Sequence, residues 1–96
     1  MRFAAIIDYS TDQELIGRVR PKHREYLGSL LENGQLFASG PFTDDGGALI
    51  IYEADTAEAA EALLKADPFH EAGVFLKWTI RPWKVVMANP ELFTAG

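Results

Sequence analysis

The sequence predicts an α+β domain of the βαββαβ type, in which a four-stranded antiparallel sheet carries two helices on one face. Its 96 residues have the length of one small domain. Strand-like and helix-like apolar segments follow one another in the order β-α-β-β-α-β, which is the split βαβ pattern. Right-handed crossovers place both helices on the same face of such a sheet. We therefore expect residues 1–96 to form a single domain.

The first strand and the first helix are predicted on either side of a loop. Residues 2–9 form a short apolar run that ends at a turn cluster, which is typical of a buried strand. Gly17 interrupts residues 12–20, so we expect a loop or one loose turn there. Pro21 suits the first turn of a helix, because its missing N–H has no partner at that position. Apolar residues then recur at spacings of three and four until Gly34 ends the helix.

A hairpin and a second helix follow. Residues 35–40 and 48–53 are short apolar strands joined by a glycine-containing turn, and together they predict a β-hairpin. Asp55, with Glu58 three residues later, resembles a capping box and predicts the start of the second helix. That helix is expected to end before Asp67.

Residues 74–86 predict a long final strand. Phe75 falls on one side of its alternation, and Trp78 and Ile80 fall on the other. Pro82 removes a hydrogen bond from the sheet, so we expect the strand to lie at an edge or to be kinked there.

Two helices on one face leave the other face of the sheet uncovered. A domain of this size buries only about 60–65% of its unfolded surface, and the apolar alternation supplies residues for both faces. We therefore expect a homodimer in which two sheets pair through their uncovered faces. The C-terminal tail, residues 87–96, is expected either to lie across the partner subunit or to be disordered.

Composition excludes several classes of function. The chain has no cysteine, which excludes thiol catalysis and thiolate metal sites. Its formal net charge of −5 argues against nucleic acid as the main partner, and the one basic cluster, residues 18–24, is short. No apolar run approaches the ~18–20 residues that span a bilayer, and the N-terminus does not resemble a signal peptide. We expect a cytoplasmic protein with no membrane partner.

His23 is the first candidate catalytic residue. It lies on the apolar stripe of the first helix, where it is either a structural histidine bonded to a backbone carbonyl or a general base at the mouth of a pocket. A position in the first helical turn favours the neutral imidazole, which can accept a proton. A metal site is not expected, because neither His23 nor His70 has a ligand four residues later.

Asp67 is the second candidate. Its place before Pro68 suits the cap of a short turn. Both helices lie on one face of the predicted sheet, so Asp67 could also approach His23, orient the imidazole by a hydrogen bond and fix its tautomer. Both interpretations stay open at this point.

Weaker signals lie near the strand ends. Ser39 and Gly40 end the second strand and are either solvated turn residues or groups that bind a polar part of a substrate. The aromatic residues are expected mainly in the core and the interface. Trp83, beyond Pro82, is the aromatic residue that we most expect to line a pocket.

Several short motifs follow one another along the chain: Arg20-Pro21-x-His23, Gly34, Ser39-Gly40-Pro41, Gly47, Asp67-Pro68-Phe69, Ala72-Gly73-Val74 and Ile80-Arg81-Pro82-Trp83. In their order and spacing these motifs resemble the YCII-related (YciI-like) family. The resemblance implies a ferredoxin-like dimeric α+β barrel, similar to that of muconolactone isomerases and antibiotic-biosynthesis monooxygenases. It also implies that a His and an Asp form the active-site pair, which corresponds here to His23 and Asp67.

One branch of that family consists of dehydrochlorinases that act on chlorinated hydroxyhydroquinones in aromatic degradation, and no residue of this chain selects or excludes it. We expect a small enzyme without a cofactor, in which His23 and Asp67 carry out acid–base chemistry on a small cyclic or aromatic substrate. Two alternatives are a non-catalytic dimer that binds a small ligand, with His23 and Asp67 too far apart to bond, and an oxygenase of the same superfamily. The residues expected to bind substrate are Ser39, Gly40, Phe69 and Trp83.

Overall fold

The structure, a computed structural model, describes residues 1–93 and has the predicted βαββαβ arrangement. Four strands form one antiparallel sheet in the order β2-β3-β1-β4. Core residues of both long helices and alternate residues of β1 belong to one hydrophobic cluster, so both helices cover the same face. The elements are β1 (Arg2–Tyr9), α1 (Gln13–Glu32), β2 (Leu36–Pro41), β3 (Gly47–Glu53), α2 (Ala57–Lys65), α3 (Pro68–Glu71) and β4 (Phe75–Trp83), followed by a 3₁₀ turn at Pro90–Leu92.

Helix α1 begins earlier than its apolar spacing predicts. The side chain of Asp12 accepts a hydrogen bond from the backbone N–H of Leu15 at 3.1 Å and so caps the helix before Gln13. The prediction of a loop over residues 12–20 is wrong, because this cap and the tertiary contacts of the first turns outweigh the low helix propensity of glycine.

Pro21 therefore lies inside α1 rather than at its start. It removes the hydrogen bond that its N–H would have made to the carbonyl of Gly17. Ile16 before it and Leu27 after it are both buried, so packing on both sides of the proline holds the helix against the sheet. At the other end Gly34 has a φ of 75°, as predicted for a residue that stops a helix.

The sequence predicts the N-terminal cap of α3 correctly but misplaces that of α2. Thr56 rather than Asp55 caps α2: it has extended backbone and accepts a hydrogen bond from the N–H of Ala59 at 3.0 Å. The predicted capping box at Asp55 is therefore wrong by one residue. Helix α2 ends at Lys65, and Asp67 then caps the single turn of α3, as one of its two predicted roles requires.

Strand β4 lies at an edge of the sheet, which explains how it accommodates Pro82. An irregularity at the end of β1 shifts the register, so that Tyr9 pairs with Phe75. Phe75 consequently packs against the helices on the same face as Trp78, whereas simple alternation predicts opposite faces. The strand ends at Trp83, earlier than predicted.

The two faces of the sheet have different surroundings. On the covered face, Phe3, Ala5 and Ile7 of β1 are buried beneath the helices. The residues between them point to the opposite face, which we call the open face. The open face has apolar side chains from all four strands: Ala4, Ile6, Phe37, Ala38, Leu49, Ile51 and Trp83.

The C-terminal tail leaves the sheet after β4. Met87, Leu92 and Phe93 are exposed, and Asn89 caps the short 3₁₀ turn. The predicted tail covers residues 87–96, of which 94–96 lie outside the described residues. Within residues 1–93 no helix has both the length and the apolar composition needed to cross a membrane.

Candidate active site

His23 and Asp67 meet in the interior, although they are 44 positions apart. Nδ1 of His23 lies 2.8 Å from each carboxylate oxygen of Asp67. Asp67 is 0% exposed and His23 is 7% exposed, and they are the buried polar residues of the described chain. The fold thus brings together the two residues that the sequence singles out for acid–base chemistry.

Asp67 is held in place by a local backbone hydrogen bond in addition to its contact with His23. Oδ1 of Asp67 accepts a hydrogen bond from the backbone N–H of Phe69 at 2.8 Å, which is the cap of α3. The following Pro68 occupies the first helical position, where its missing N–H costs nothing. The two predicted roles of Asp67, cap and partner of His23, are therefore filled by the same carboxylate.

Phe69 fixes the plane of the His23 ring. The two rings are stacked, with centroids 3.9 Å apart and planes inclined by 11°. Phe69 is itself packed edge-on by Tyr9 and Phe75. Since one edge of the imidazole is bonded to Asp67 and one face lies on Phe69, the ring has little freedom to rotate.

The hydrogen bond from His23 to Asp67 determines what the imidazole can do. A carboxylate only accepts hydrogen bonds, so Nδ1 carries the proton and donates it. The opposite nitrogen, Nε2, is then an acceptor when the ring is neutral. The sequence predicts a neutral ring from a position in the first turn of a helix, and this prediction of the position is wrong, because His23 lies near the middle of α1. Its tautomer is set instead by Asp67.

A cavity of about 430 Å³ opens beside His23, within the size range of small-molecule sites. It lies between α1, the covered faces of β2 and β3, and the end of β1. Ser39 and Gly40 line it, as does Phe69, so these predicted residues meet His23 at one cavity. Apolar groups complete part of the wall, namely Leu27, Ala48 and Ile50.

Three polar residues of the cavity wall are not among the catalytic and substrate-binding residues predicted from the sequence: Tyr9, Arg20 and Arg24. Arg20 and Arg24 are four residues apart on α1, with His23 between them, so helical spacing puts all three on one face. The sequence pattern does not indicate this shared face, because it predicts a loop over residues 12–20 and so leaves Arg20 outside the helix. Tyr9 ends β1 and gave no sequence signal beyond its place before a turn.

The environment of Tyr9 keeps its hydroxyl neutral. Burial raises the pKa of Tyr9 to about 12, and the negative charge of Asp67 adds to this effect. The positive charges of Arg20 and Arg24 act in the opposite direction. Tyr9 therefore faces the cavity as a hydrogen-bond donor over the whole physiological pH range.

Trp83, which the sequence predicts to line a pocket, does not line the cavity beside His23. It pairs with Arg2 at the first residue of β1, whereas the cavity lies at the Tyr9 end of that strand. The Trp83 ring packs on Phe37, at 6.1 Å between centroids, on the open face. Sequence alternation did not reveal this, because the position depends on which strand pairs with β4.

Among residues 1–93 no three His, Cys, Asp or Glu side chains are grouped closely enough to hold a metal ion. The groups that face the cavity are nitrogen and oxygen donors and acceptors suited to binding a small organic molecule and to moving a proton.

Comparison with known proteins identifies a family and several relatives of this chain. Residues 1–84 match the sequence model of the YCII-related domain. Protein YciI of Escherichia coli is 36% identical over 78 residues, which cover 71% of this chain and 80% of YciI. The uncharacterised protein YjpA of Bacillus subtilis is 36% identical over 63 residues, which cover 66% of this chain and 73% of YjpA. The resemblance to the YCII-related family is confirmed.

A similar fold occurs in 5-chloro-2-hydroxyhydroquinone dehydrochlorinase (TftG) from Burkholderia phenoliruptrix, whose structure was solved in complex with 2,5-dihydroxybenzoquinone. The superposition has a TM-score of 0.76 and covers 88% of this chain and 94% of that chain. The sequences are 24% identical, so the likeness establishes the fold and confirms the predicted α+β class.

Proposed function

The chain belongs to the YCII-related family, and from that membership and the geometry of the cavity we propose that it is an enzyme in which His23 acts as general base. The substrate is a small cyclic or aromatic molecule that carries an acidic hydroxyl group. The observation that carries the proposal is the 2.8 Å contact between Nδ1 of His23 and the buried carboxylate of Asp67. The rival hypothesis, a non-catalytic module, expected these two groups to be apart.

The paired arrangement suits proton transfer for a physical reason. Asp67 holds the proton on Nδ1, so the lone pair of Nε2 is available to a substrate in the cavity. When Nε2 takes a proton, the imidazolium that forms lies next to a carboxylate, which stabilises its positive charge. Such general acid–base catalysis contributes about 100-fold to 10,000-fold in rate. Proton transfer of this kind needs no cofactor.

The specific reaction that we propose is loss of HCl from a chlorinated hydroxyhydroquinone, the reaction type in the name of the similar structure TftG. His23 takes a proton from a ring hydroxyl and returns it to the carbon that carries chlorine, where a ring electron pair forms the new C–H bond. A second hydroxyl then loses its proton to His23, which is neutral again, and its oxygen becomes a carbonyl. The C–Cl electron pair leaves with chloride, so a hydroxyquinone forms without an oxidant.

The test is chloride release from 5-chloro-2-hydroxyhydroquinone under anaerobic conditions, measured by ion chromatography. The His23→Gln variant keeps an amide N–H that can face Asp67 and is the variant to measure first. We expect it to lose about 100-fold to 10,000-fold in rate. The matched control is His70→Gln, since His70 packs against Trp78 and does not line the cavity.

Two outcomes would contradict the proposal. Full chloride release by correctly folded His23→Gln would remove His23 from the chemistry. Absence of chloride release by the wild-type protein would exclude this substrate. A second measurement then tests the base alone: exchange of ring C–H hydrogens of hydroxyhydroquinone for deuterium, followed by NMR, which should require His23 but not His70.

We also propose that two copies of the domain pair through their open faces, with residues 1–96 as one unit in each subunit. The support is the apolar centre of that face. Ile6 is 42% exposed at this centre and Trp83, nearer one end of the face, is 44% exposed. No helix among residues 1–93 covers either side chain. A second copy would remove these side chains from water.

A further inference from the structure

Arg20 and Arg24 give the cavity a positive wall that the proposed base does not require. Both line the cavity that contains His23, and both also line a neighbouring cavity of about 230 Å³. In residues 1–93 neither guanidinium forms a salt bridge with a carboxylate. Two like charges four residues apart on a helix repel each other, so the pair is stabilised when a negative group lies between them.

The rest of the wall defines the shape of that negative group. Phe69, Leu27 and Ile50 form an apolar side suited to a ring. The hydroxyl of Tyr9 adds a neutral hydrogen-bond donor near the arginines. Asp67, the nearest buried carboxylate, is already bonded to His23 and to the N–H of Phe69. In a chain with a net charge of −5, this cavity is a local exception to the acidic balance.

We propose that the cavity binds its substrate as a ring-borne oxyanion, whose negative oxygen is held by Arg20 and Arg24 with the Tyr9 hydroxyl as an additional donor. This inference rests on the proposed function in that it concerns the same cavity and refines its substrate class. The ionised hydroxyl is held by the arginines, and a second hydroxyl is left for His23. Asp45 lines only the neighbouring cavity, where its charge disfavours anions and so directs them toward His23.

A spectroscopic probe tests this without any turnover. 4-Nitrophenol ionises near neutral pH, and its phenol and phenolate forms absorb at different wavelengths. 4-Nitroanisole has nearly the same shape but cannot ionise. If the site selects an oxyanion, binding to the wild-type protein should lower the pKa of 4-nitrophenol by about one unit, equivalent to a 10-fold preference for phenolate. Nitroanisole should bind less tightly.

Variants locate the preference on particular residues. The double variant Arg20→Gln/Arg24→Gln should bind phenolate at least about 10-fold more weakly and leave nitroanisole affinity unchanged, because hydrogen bonds to charged groups are the ones lost. Arg20→Lys/Arg24→Lys keeps the charge and should retain most of the preference. The matched control is Arg18→Gln, an exposed cation of the same helix that lines neither cavity.

The proposal is overturned if wild-type protein does not prefer phenolate to nitroanisole, if the double variant weakens both probes equally, or if Arg18→Gln has the same effect as the double variant. The proposed function fails separately. His23→Gln should lose chloride release and keep the phenolate preference. If His23→Gln kept full chloride release, His23 would not be the base, and the oxyanion site would still be judged by the arginine variants alone.

Discussion

The covered face and the open face of one sheet are used for different purposes. The covered face encloses the core, and among its apolar residues lies the buried pair His23 and Asp67 beside a cavity. The open face also has apolar side chains, yet no helix among residues 1–93 packs on Ile6 or Trp83, which remain 42% and 44% exposed. The same strands supply both faces, because successive side chains alternate.

Burial imposes a stricter requirement on the covered face than on the open face. A buried charged group needs its partner inside the same chain, since leaving it unpaired costs about 3–5 kcal/mol of stability. Asp67 accordingly receives its hydrogen bonds from His23 and Phe69 within one chain. Exposed apolar groups cost far less, so their partner can come from a second copy. Substitutions on the two faces should accordingly have different effects.

The largest effect is expected from Asp67→Asn on the covered face. The asparagine carbonyl can still cap Phe69, so the variant should fold, but its amide can donate to Nδ1 of His23 and so place the ring proton on Nε2. With Nε2 protonated, the neutral ring cannot accept a proton from substrate. We expect a loss of about 100-fold to 10,000-fold in chloride release.

Asp55→Asn is the matched control for this substitution, because Asp55 is exposed and lies outside the cavity. The double variant Asp67→Asn/His23→Gln should be no slower than the slower single variant, since residues that act as one unit are not additive. Multiplied losses in the double variant would show that the two residues act independently and would contradict the pairing.

The next effect concerns assembly and arises on the open face. Ile6→Lys places a charge at the centre of that face, opposite Thr79 and Leu49 in the neighbouring strands. In a symmetric dimer each interface would receive this charge twice, so the dissociation constant should rise by about 100-fold or more. Analytical ultracentrifugation across a concentration series measures it.

Leu31→Lys is the control for the open-face variant. Leu31 is an exposed leucine of α1, 60% exposed, and lies away from the open face. It should leave the oligomeric state unchanged. A wild-type protein that sediments as a monomer at every concentration, or equal dissociation by both variants, would exclude the open face as the interface.

Much of the fold and the central pair could be predicted from the sequence. The strands follow from short apolar runs between turn residues, and His23 and Asp67 stand out because each occurs in a distinctive motif near a predicted helix end. What the sequence could not supply was the start of α1. Pro21 is a common first helical residue, and only tertiary packing explains why the helix extends through it. Because the predicted helix begins at Pro21, the sequence does not place Arg20 on the helix face that lines the cavity.

The positions of Phe75 and Trp83 depended on information from outside their own segment. Phe75 faces the helices because the register shifts where Tyr9 pairs with it, and a local alternation pattern does not contain that shift. Trp83 lies on the open face beside Arg2 and Phe37. Its distance from His23 follows from strand pairing across the sheet, which local sequence does not encode.

Ionisation of the tyrosines provides a smaller effect that is specific to the covered side. Burial raises the pKa of Tyr9 to about 12, and it also raises the pKa of Tyr26 and of Tyr52 above the ordinary value of 10.0. Below that ordinary value both folded and unfolded chains keep the phenol protons. As pH rises above it, the unfolded chain loses protons first, so folding stability must fall.

Absorbance of tyrosinate checks this prediction, since the chain has three tyrosines and all have raised values. In the folded protein the titration should be displaced above that of the urea-unfolded protein. The free energy of unfolding should be lower at about pH 11 than near neutral pH. A folded protein that titrates together with the unfolded one would contradict the burial of these hydroxyls.

The smallest effect distinguishes the hydroxyl of half-buried Tyr26 from the hydroxyl of buried Tyr52, both on the covered side. Tyr26 donates its O–H to the carbonyl of Leu63 at 2.7 Å, whereas the hydroxyl of Tyr52 is buried with no hydrogen-bond partner among the described residues. Removing a bonded hydroxyl should lower the free energy of unfolding by about 1 kcal/mol, and removing an unpaired one should raise it by a similar amount. Tyr26→Phe and Tyr52→Phe should therefore shift the urea midpoint in opposite directions. A loss of stability in Tyr52→Phe equal to that in Tyr26→Phe would mean that a buried water completes the Tyr52 hydroxyl.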